Sequence, residues 1–448
     1  MTRLMRQHTL FSRLATSALL SGAATAVHAQ DGAYIVEPWL GRYQAVKIQP
    51  GDQKIVAGGT AVVTNANNKP EGDVAVARYD MFGSPDAAYG SHGLVTIAGS
   101  WSTVSALTIQ PDGKAVVTSS FGYDFRMNRL NSLDGSPDSS FAGGGSTLIN
   151  IRAGADRAFG VGLQSTGKIV VAGLSTGSTT SAYNQSCLVA RFTTGGVIAS
   201  GNGGFGQYVL GKPAGYALTS FGAKYQQYSD LAVQSDDKLV AAGVIYPDGS
   251  TGQLVVVRYT ATGSLDKTFN GKGYFVLAPA GISSGASSVA LQPDGKIVVV
   301  GTSNSIDTAH DMFVARFNAN GTLDTGFAGG NGYVRLDIGG GASLTSEDGN
   351  GVAIQPDGKI VVAGREFTSG VGDLSRVLVA RLNANGTLDS TFGAGGFKLG
   401  APLPGTGYHS FWGYAVALQS DGSIIVAGTD FWGTTSDTNH PLLMRFNP

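Results

Sequence analysis

The sequence predicts an all-β chain folded as a seven-bladed β-propeller with four antiparallel strands per blade. Two phrases that recur in a single register carry this reading. The first, in its fullest form apolar-x-apolar-Gln-x-x-Gly-Lys-Ile-Val-Val-Ala-Gly, places a glutamine at Gln49, Gln110, Gln164, Gln234, Gln292, Gln355 and Gln419. The second, apolar-Ala-Arg-Phe-Asn, follows each copy of the first and carries Arg78, Arg129, Arg191, Arg258, Arg316, Arg381 and Arg445. Successive glutamines are 61, 54, 70, 58, 63 and 64 residues apart, so one supersecondary unit is repeated along the chain and length alone does not set the number of domains.

The fifth unit shows the pattern most clearly. Val289 to Gln292, Lys296 to Gly301, Phe313 to Asn318 and Gly332 to Leu336 are short apolar or alternating runs, read in order as strands A, B, C and D. Between A and B, Pro293-Asp294-Gly295 is a tight turn: proline presets φ, aspartate caps locally and glycine accepts a positive φ. The C to D link, from Asn320-Gly321-Thr322-Leu323-Asp324 onward, is a longer glycine-rich reversal. Seven such sheets set radially shield most strand edges from solvent.

The two ends of the chain predict how the ring shuts. The seventh unit stops at Pro448, shortly after Arg445, and so lacks a D strand of its own. Gly32-Ala33-Tyr34-Ile35-Val36 matches Gly273-Tyr274-Phe275-Val276-Leu277, a D strand, and has no unit in front of it. The N-terminal strand is therefore expected to complete the last blade.

Residues 1–29 read as an export signal, leaving 30–448 as the propeller. Arg3, Arg6 and Arg13 give a basic start, Leu14 to Val27 is largely apolar or small, and Val27-His28-Ala29 resembles a cleavage site. The expected destination is the periplasm or the medium, as a bacterial secreted protein. No membrane span is expected, because no later run approaches the length of apolar residues that one needs. Removing the three arginines from 30 basic residues leaves 27 against 31 acidic ones, a balance that argues against nucleic acid as a partner. Cys187 is the single cysteine, which excludes an intramolecular disulfide. By alignment with Leu254, Met312 and Val377 in strand C it is expected to be a small buried hydrophobe. The expected oligomeric state is a monomer.

The phrases LQPDGKIVVAG and ARFNANGTLD, with the Thr-Phe-Gly that follows, resemble the delta-60 repeat family of exported bacterial proteins, whose function is not established. The resemblance covers essentially all of residues 30–448 and implies propeller architecture. Unit 3 departs from it most, with Ser165-Thr166 in place of Pro-Asp and a degenerate Thr194-Gly195-Gly196-Val197 link.

In five units an aspartate follows the strand C arginine by eight or nine residues, at Asp86, Asp138, Asp266, Asp324 and Asp389. A catalytic residue seldom needs five copies, so these are read as charge-assisted bridges pinning each C to D loop onto its own blade. Ala199 leaves Arg191 without that partner. Asn318-Ala319-Asn320-Gly321 and Asn383-Ala384-Asn385-Gly386 lack the acidic ligands of a calcium loop and are read as turns.

Enzyme-like strings fail in their context. Gly173-Leu174-Ser175-Thr176-Gly177 and Gly281-Ile282-Ser283-Ser284-Gly285 match G-x-S-x-G without a strand-to-helix elbow. Gly201-Asn202-Gly203-Gly204-Phe205-Gly206 precedes Gln207-Tyr208-Val209-Leu210, read as a strand, where a phosphate cradle needs a helix. His92, His310, His409 and His440 lack the close pairing of a zinc site. Neither a metal nor a cofactor is expected, and no catalytic residue can be assigned.

The A to B and C to D turns are nearly alike from unit to unit, while the B to C and D to A loops vary, so ligand binding is expected on the variable rim. The candidate ligand-binding residues are Trp39, Tyr43, Trp101, Tyr123, His409, Trp412, Tyr414, Trp432 and His440. They belong mostly to units 7, 1 and 2, neighbours in a closed ring, with Trp39, Trp101 and Trp412 just before A strands. Aromatic platforms with polar neighbours suit a glycan or a protein partner. Asp156, Arg157, Asp230, Asp307, Asp311, Glu347, Asp348 and Asp430 are expected to add charge to the same rim. The leading expectation is a binding or surface-interaction module. The alternative is an extracellular polymer-degrading enzyme, a polysaccharide lyase or hydrolase, with titratable groups converging on the central opening.

Overall fold

A computed structural model describes residues 33–64, 70–99, 102–177, 185–201, 203, 204–209, 212–305, 310–338, 345–368, 374–400, 409–432 and 439–448. The described residues form seven four-stranded antiparallel sheets and one two-stranded hairpin, with a single 3-10 turn at Ala328–Gly330. In blade 1 the strands A to D are Gly41–Ile48, Ile55–Thr64, Pro70–Tyr79 and Leu94–Ile97, each hydrogen-bonded to the next. Among the described residues, no helix is long and apolar enough to cross a membrane.

Ring closure follows the expected route. Ala33–Val36 pairs with Asn439–Phe446, the C strand of blade 7, in the register Ala33 to Arg445, Tyr34 to Met444, Ile35 to Leu443 and Val36 to Leu442. Strands from both ends of the chain thus share one sheet, and main-chain hydrogen bonds hold the ring shut.

Each sheet is apolar on both faces because each has a neighbour on both sides. Ile297, Val298, Val299 and Val300 of blade 5 are all fully buried, with alternate residues facing opposite neighbours. This explains why the B strands read as continuous aliphatic runs rather than alternating ones. Seven apolar clusters result, one between each pair of successive blades. The cluster between blades 7 and 1 joins Tyr43, Val46 and Ile55 to Ile425, Ala427 and Leu443.

Blade 3 carries the one topological departure. Tyr208–Val209 does not serve as a blade strand; it pairs with Lys212–Pro213 in a small inserted hairpin, and Tyr216–Thr219 is strand D. The degenerate link of unit 3 therefore accommodates an insertion before its outer strand. The two G-x-S-x-G strings lie in or at the start of strands Ile169–Thr176 and Ile282–Leu291, with no elbow at either serine. The expected export signal, Trp101 and Asp307 lie outside the described residues.

Candidate functional site

The two rims of the ring differ in what their polar side chains do. On the rim of the A to B and C to D turns, the repeated residues bind one another. The Nε of Arg78, Arg129, Arg258, Arg316 and Arg381 donates to Asp86, Asp138, Asp266, Asp324 and Asp389 at 2.7 to 2.8 Å. In these five units the lysine of the first phrase reaches the same carboxylate; Lys114 to Asp138 and Lys359 to Asp389 are both 3.0 Å. Each of these arginines also lies over a buried aromatic ring of its own C to D loop, Arg258 over Phe269 at 4.8 Å and Arg316 over Phe327 at 4.6 Å.

The bridges do more than pin each loop onto its own blade. In Arg78, Arg129, Arg258 and Arg316 a second nitrogen of the same guanidinium donates to a carbonyl in the next blade's loop, as from Arg129 to Thr194 and from Arg258 to Ala319, both 2.5 Å. The repeated glutamines act likewise: Gln49 donates to the Gly113 carbonyl at 3.0 Å and Gln292 to the Gly358 carbonyl at 3.1 Å. Gln419 makes the closing contact of this series, donating to the Met81 carbonyl of blade 1 at 2.9 Å. Gly321 shows why the loops contain glycine: its φ is +86°, and a Cβ would fall 2.6 Å from the Phe269 ring of the preceding blade. The two Asn-Ala-Asn-Gly segments are turns, in which Asn320 and Asn385 accept from the backbone and hydroxyl of Thr322 and Thr387.

On the variable rim the sequence-derived candidates fall into two groups. The first surrounds Glu37, at the seam between blades 7 and 1. The Trp39 indole and the Tyr79 hydroxyl donate to its carboxylate, while His440 Nδ1 donates to its main-chain carbonyl at 2.9 Å. Burial pushes the Glu37 carboxyl above the usual range, partly offset by these donors. Tyr43 stands edge-on to Trp39 with ring centroids 5.7 Å apart, and its hydroxyl is 2.6 Å from that of Tyr79. Tyr43 is fully buried between the blades. It therefore offers no face to a ligand and drops out of the expected platform. Tyr228 repeats its position in blade 4, again bonded to a strand C tyrosine, Tyr259, at 2.7 Å.

The second group lies at the mouth of the central channel, across blades 6, 7 and 1. Trp412 does not precede strand A of blade 7 but sits inside it, within His409–Leu418. The Arg365 guanidinium lies 3.8 Å above the Trp412 ring and donates to Asp348 at 2.5 Å. Asp348 also accepts from the Thr302 hydroxyl at 3.1 Å, and Phe431 packs against Trp412 with centroids 4.7 Å apart. Tyr414 stands edge-on to Trp412 at 6.2 Å and hydrogen-bonds Arg42 of blade 1. Burial raises the Tyr414 phenol above its ordinary value, against the lowering effect of Arg42 and Arg365. His409 and Trp432 are register partners at the ends of strands A and B of this blade. Tyr123 stands apart, exposed at the B to C turn of blade 2.

The expected rim charges need correction. Asp156, Asp311, Glu347 and Asp430 belong to strands and are buried. The Asp156 carboxylate accepts from the backbone of Ile151 at 2.6 Å, closing the loop before its own strand. Asp230 is not on the rim at all. It lies midway along strand A of blade 4 and lines the channel, where its carboxylate accepts from the Ser288 hydroxyl at 2.7 Å and from the backbone of Val289 at 3.0 Å and Leu231 at 2.7 Å. Burial raises its pKa and these donors oppose the rise.

One feature of the channel escaped sequence reasoning. Every A strand carries a β-bulge at the same place, five residues before the repeated glutamine, and the bulged residues are Gln44, Ser105, Phe159, Ser229, Ser287, Asn350 and Tyr414. All seven line a single cavity of about 200 Å³, and only the ring axis is within reach of all seven inner strands. Aligned on the glutamine, this place carries Gln, Ser, Phe, Asn or Tyr, whereas two residues later every unit has Val or Leu. The same comparison marks Arg365, whose counterparts are Thr60, Ser120, Leu174, Val244, Thr302 and Thr429. Among the described residues, no cluster of three or more His, Cys, Asp or Glu could hold a metal ion.

Five segments, 110–141, 234–269, 292–327, 355–392 and 419–448, match a family described as "Domain of unknown function (DUF5122) beta-propeller". Each begins at the repeated glutamine, and the first four end at the buried aromatic of the C to D loop, so each of these matches starts and stops on the rim of the repeated turns. No curated protein matches the chain. Among solved structures, a protein of unknown function from Dyadobacter fermentans is 11% identical, with 94% of this chain and 97% of that one covered and a TM-score of 0.44. The polysaccharide lyase Uly1 is 11% identical, with 94% and 100% covered and a TM-score of 0.43. Drosophila Semaphorin 1b, extracellular domains 1-2, is 8% identical, with 94% and 87% covered and a TM-score of 0.47. Likeness of this degree says nothing of activity. The chain is a seven-bladed β-propeller in which five of the seven units match a β-propeller repeat of unknown function.

Proposed function

We propose that this protein is an exported glycan-binding propeller that acts as a monomer and uses the variable rim where blades 6, 7 and 1 meet the channel. The observation that carries the reading is the Arg365, Trp412 and Asp348 arrangement, with the guanidinium 3.8 Å over the indole and held by the carboxylate at 2.5 Å. A fixed aromatic ring with charged donors and acceptors beside it suits the mixed apolar and hydroxylated faces of a sugar. The opposite rim supports the same conclusion, because its repeated charges and amides are engaged in joining blades. The channel carboxylate supports binding over catalysis: Asp230 is held by three donors of the scaffold itself.

The units are read as delta-60 repeats on the strength of their two phrases, and residues 1–29 as the signal that sends the chain to the periplasm or the medium. N-terminal sequencing of the exported protein should begin near Gln30. A cytoplasmic chain retaining Met1 would contradict export. The binding reading is tested by a glycan array probed with residues 30–448 and with Trp412→Ala and Arg365→Ala variants. Binding to a subset of glycans, weakened about tenfold or more in both variants, is expected. An array on which both variants match the parent, or on which nothing binds, overturns it.

A further inference from the structure

The bulge position combines a strictly repeated geometry with an unrepeated chemistry. Two residues further along each A strand, the side chains are Val46, Leu107, Val161, Leu231, Val289, Val352 and Val416, aliphatic in every blade as packing demands. At the bulge itself, the seven units share a backbone form but place three hydroxyls, two amides and two aromatic rings around the axis. Shutting the ring does not require this polarity, since the neighbouring aliphatic layer already packs the same strands. Bulges re-aim side chains out of the ladder and recur beside functional sites.

The arrangement of these groups specifies a class of ligand. Phe159 and Tyr414 come from blades 3 and 7, on opposite sides of a seven-membered ring, and the serines and amides lie between them. Gln44 keeps an amide oxygen with no hydrogen-bond partner in the protein, and Asn350 holds its own orientation by donating to the Gly413 carbonyl at 2.8 Å. Lys47 and Asp230 line the cavity with opposite charges, and the carboxylate is already bound by Ser288, Val289 and Leu231. The site is thus close to neutral overall. Its volume of about 200 Å³ equals several waters at roughly 30 Å³ each, enough for one sugar ring.

We propose that the seven bulge residues form a channel subsite for one neutral sugar unit, whose C–H faces meet Phe159 and Tyr414 while its hydroxyls reach Gln44, Asn350 and the serines. The subsite deepens the glycan reading of the rim and rests on it: a chain lying across Trp412 would lower its terminal unit into the channel.

Saturation-transfer NMR and calorimetry on residues 30–448, with the methyl glycosides of glucose, galactose and mannose and with glucuronate, test it. At least one neutral glycoside should bind with a Kd on the order of 1 mM and glucuronate more weakly. Ser287→Leu, which fills the channel, should weaken that binding about tenfold or more at an unchanged melting temperature. Ser229→Val provides the same readout if Ser287→Leu fails to fold. The subsite is overturned if no neutral glycoside binds, or if the channel variants bind like the parent. Array binding lost in Trp412→Ala with no glycoside bound overturns the subsite and leaves the rim standing. A glycoside bound through Ser287 with a blank array does the reverse.

Discussion

Tyr34, in the first strand of the ring, lies opposite Met444 in the last, and its ring packs against Phe411 of the same blade with centroids 6.3 Å apart. This pairing makes the two ends of the chain a single sheet. Deleting residues 30–38 removes that strand, the main-chain bond from Glu37 to Pro441 at 3.0 Å and the cover over Leu443 and Met444. The lost burial of three partly buried apolar side chains is worth a few kcal/mol, so the melting temperature should fall by at least about 5 °C. An unchanged melting temperature, read by differential scanning calorimetry, would show that the strand is dispensable.

Blade 3 provides a test of the arginine bridge by addition rather than removal. Ala199 donates its backbone N–H to the Arg191 carbonyl at 2.8 Å, as Asp266 does to Arg258 at 2.9 Å, so position 199 has the backbone placement of the missing aspartate. The Nε of Arg191 is buried and has no hydrogen-bond partner. Ala199→Asp should therefore raise stability by about 1 kcal/mol and slow amide exchange in blade 3, which in the parent should exchange faster than its neighbours. A destabilised variant would mean that the bridge does not transfer between units.

Acid should unfold the ring through the same carboxylates. In Asp86, Asp138, Asp266 and Asp324 burial alone would raise the pKa, but hydrogen bonds from neighbouring side chains and backbone, together with the arginine and lysine charges, bring it below the ordinary value. In Asp389 the Thr391 hydroxyl leads in the same direction. A folded-state pKa below the unfolded one gives stability that is present above the unfolded value, about 3.9, and is lost as pH falls through the folded value. Urea unfolding from pH 7 to pH 3 should show near-constant stability down to about pH 5 and a steep decline below about pH 4. Asp266→Asn should lower the plateau and make the decline shallower. A profile flat to pH 3 would contradict the bridges as a source of stability.

Cys187 is fully buried in strand C of blade 3, and burial pushes its thiol pKa up. It should resist a thiol-specific reagent in the native protein and react once the chain is unfolded in guanidinium. Rapid native labelling would place it outside the core.

Repetition made the scaffold legible in the sequence. Arg316 and Asp324 could be paired because five units hold the same two residues at nearly the same spacing, and the closing strand because Ala33 to Val36 matched Tyr274 to Leu277. What remained hidden crosses from one unit to the next or depends on a shift of one residue. Nothing within a unit shows that Gln49 will donate to Gly113. From the sequence Tyr43 reads, with its neighbour Trp39, as a rim aromatic, but it lies within strand A, just before the bulge, and turns between the blades. The bulge likewise puts Asp230 on the channel wall rather than the rim. Such a shift leaves the period-two pattern of each strand almost intact, so it is seen only when all seven units are aligned on the glutamine.

In the proposed division of labour, the repeated rim joins blades while the variable rim and the channel take the ligand. Hydrogen-exchange mass spectrometry, with the best glycan from the array present and absent, compares the two rims in one experiment. Protection should appear in peptides spanning Asp348, Arg365 and Trp412 and be missing from the Pro-Asp-Gly turns at 111–113, 293–295 and 356–358. Protection confined to those turns, with the Trp412 peptide unchanged, would contradict it.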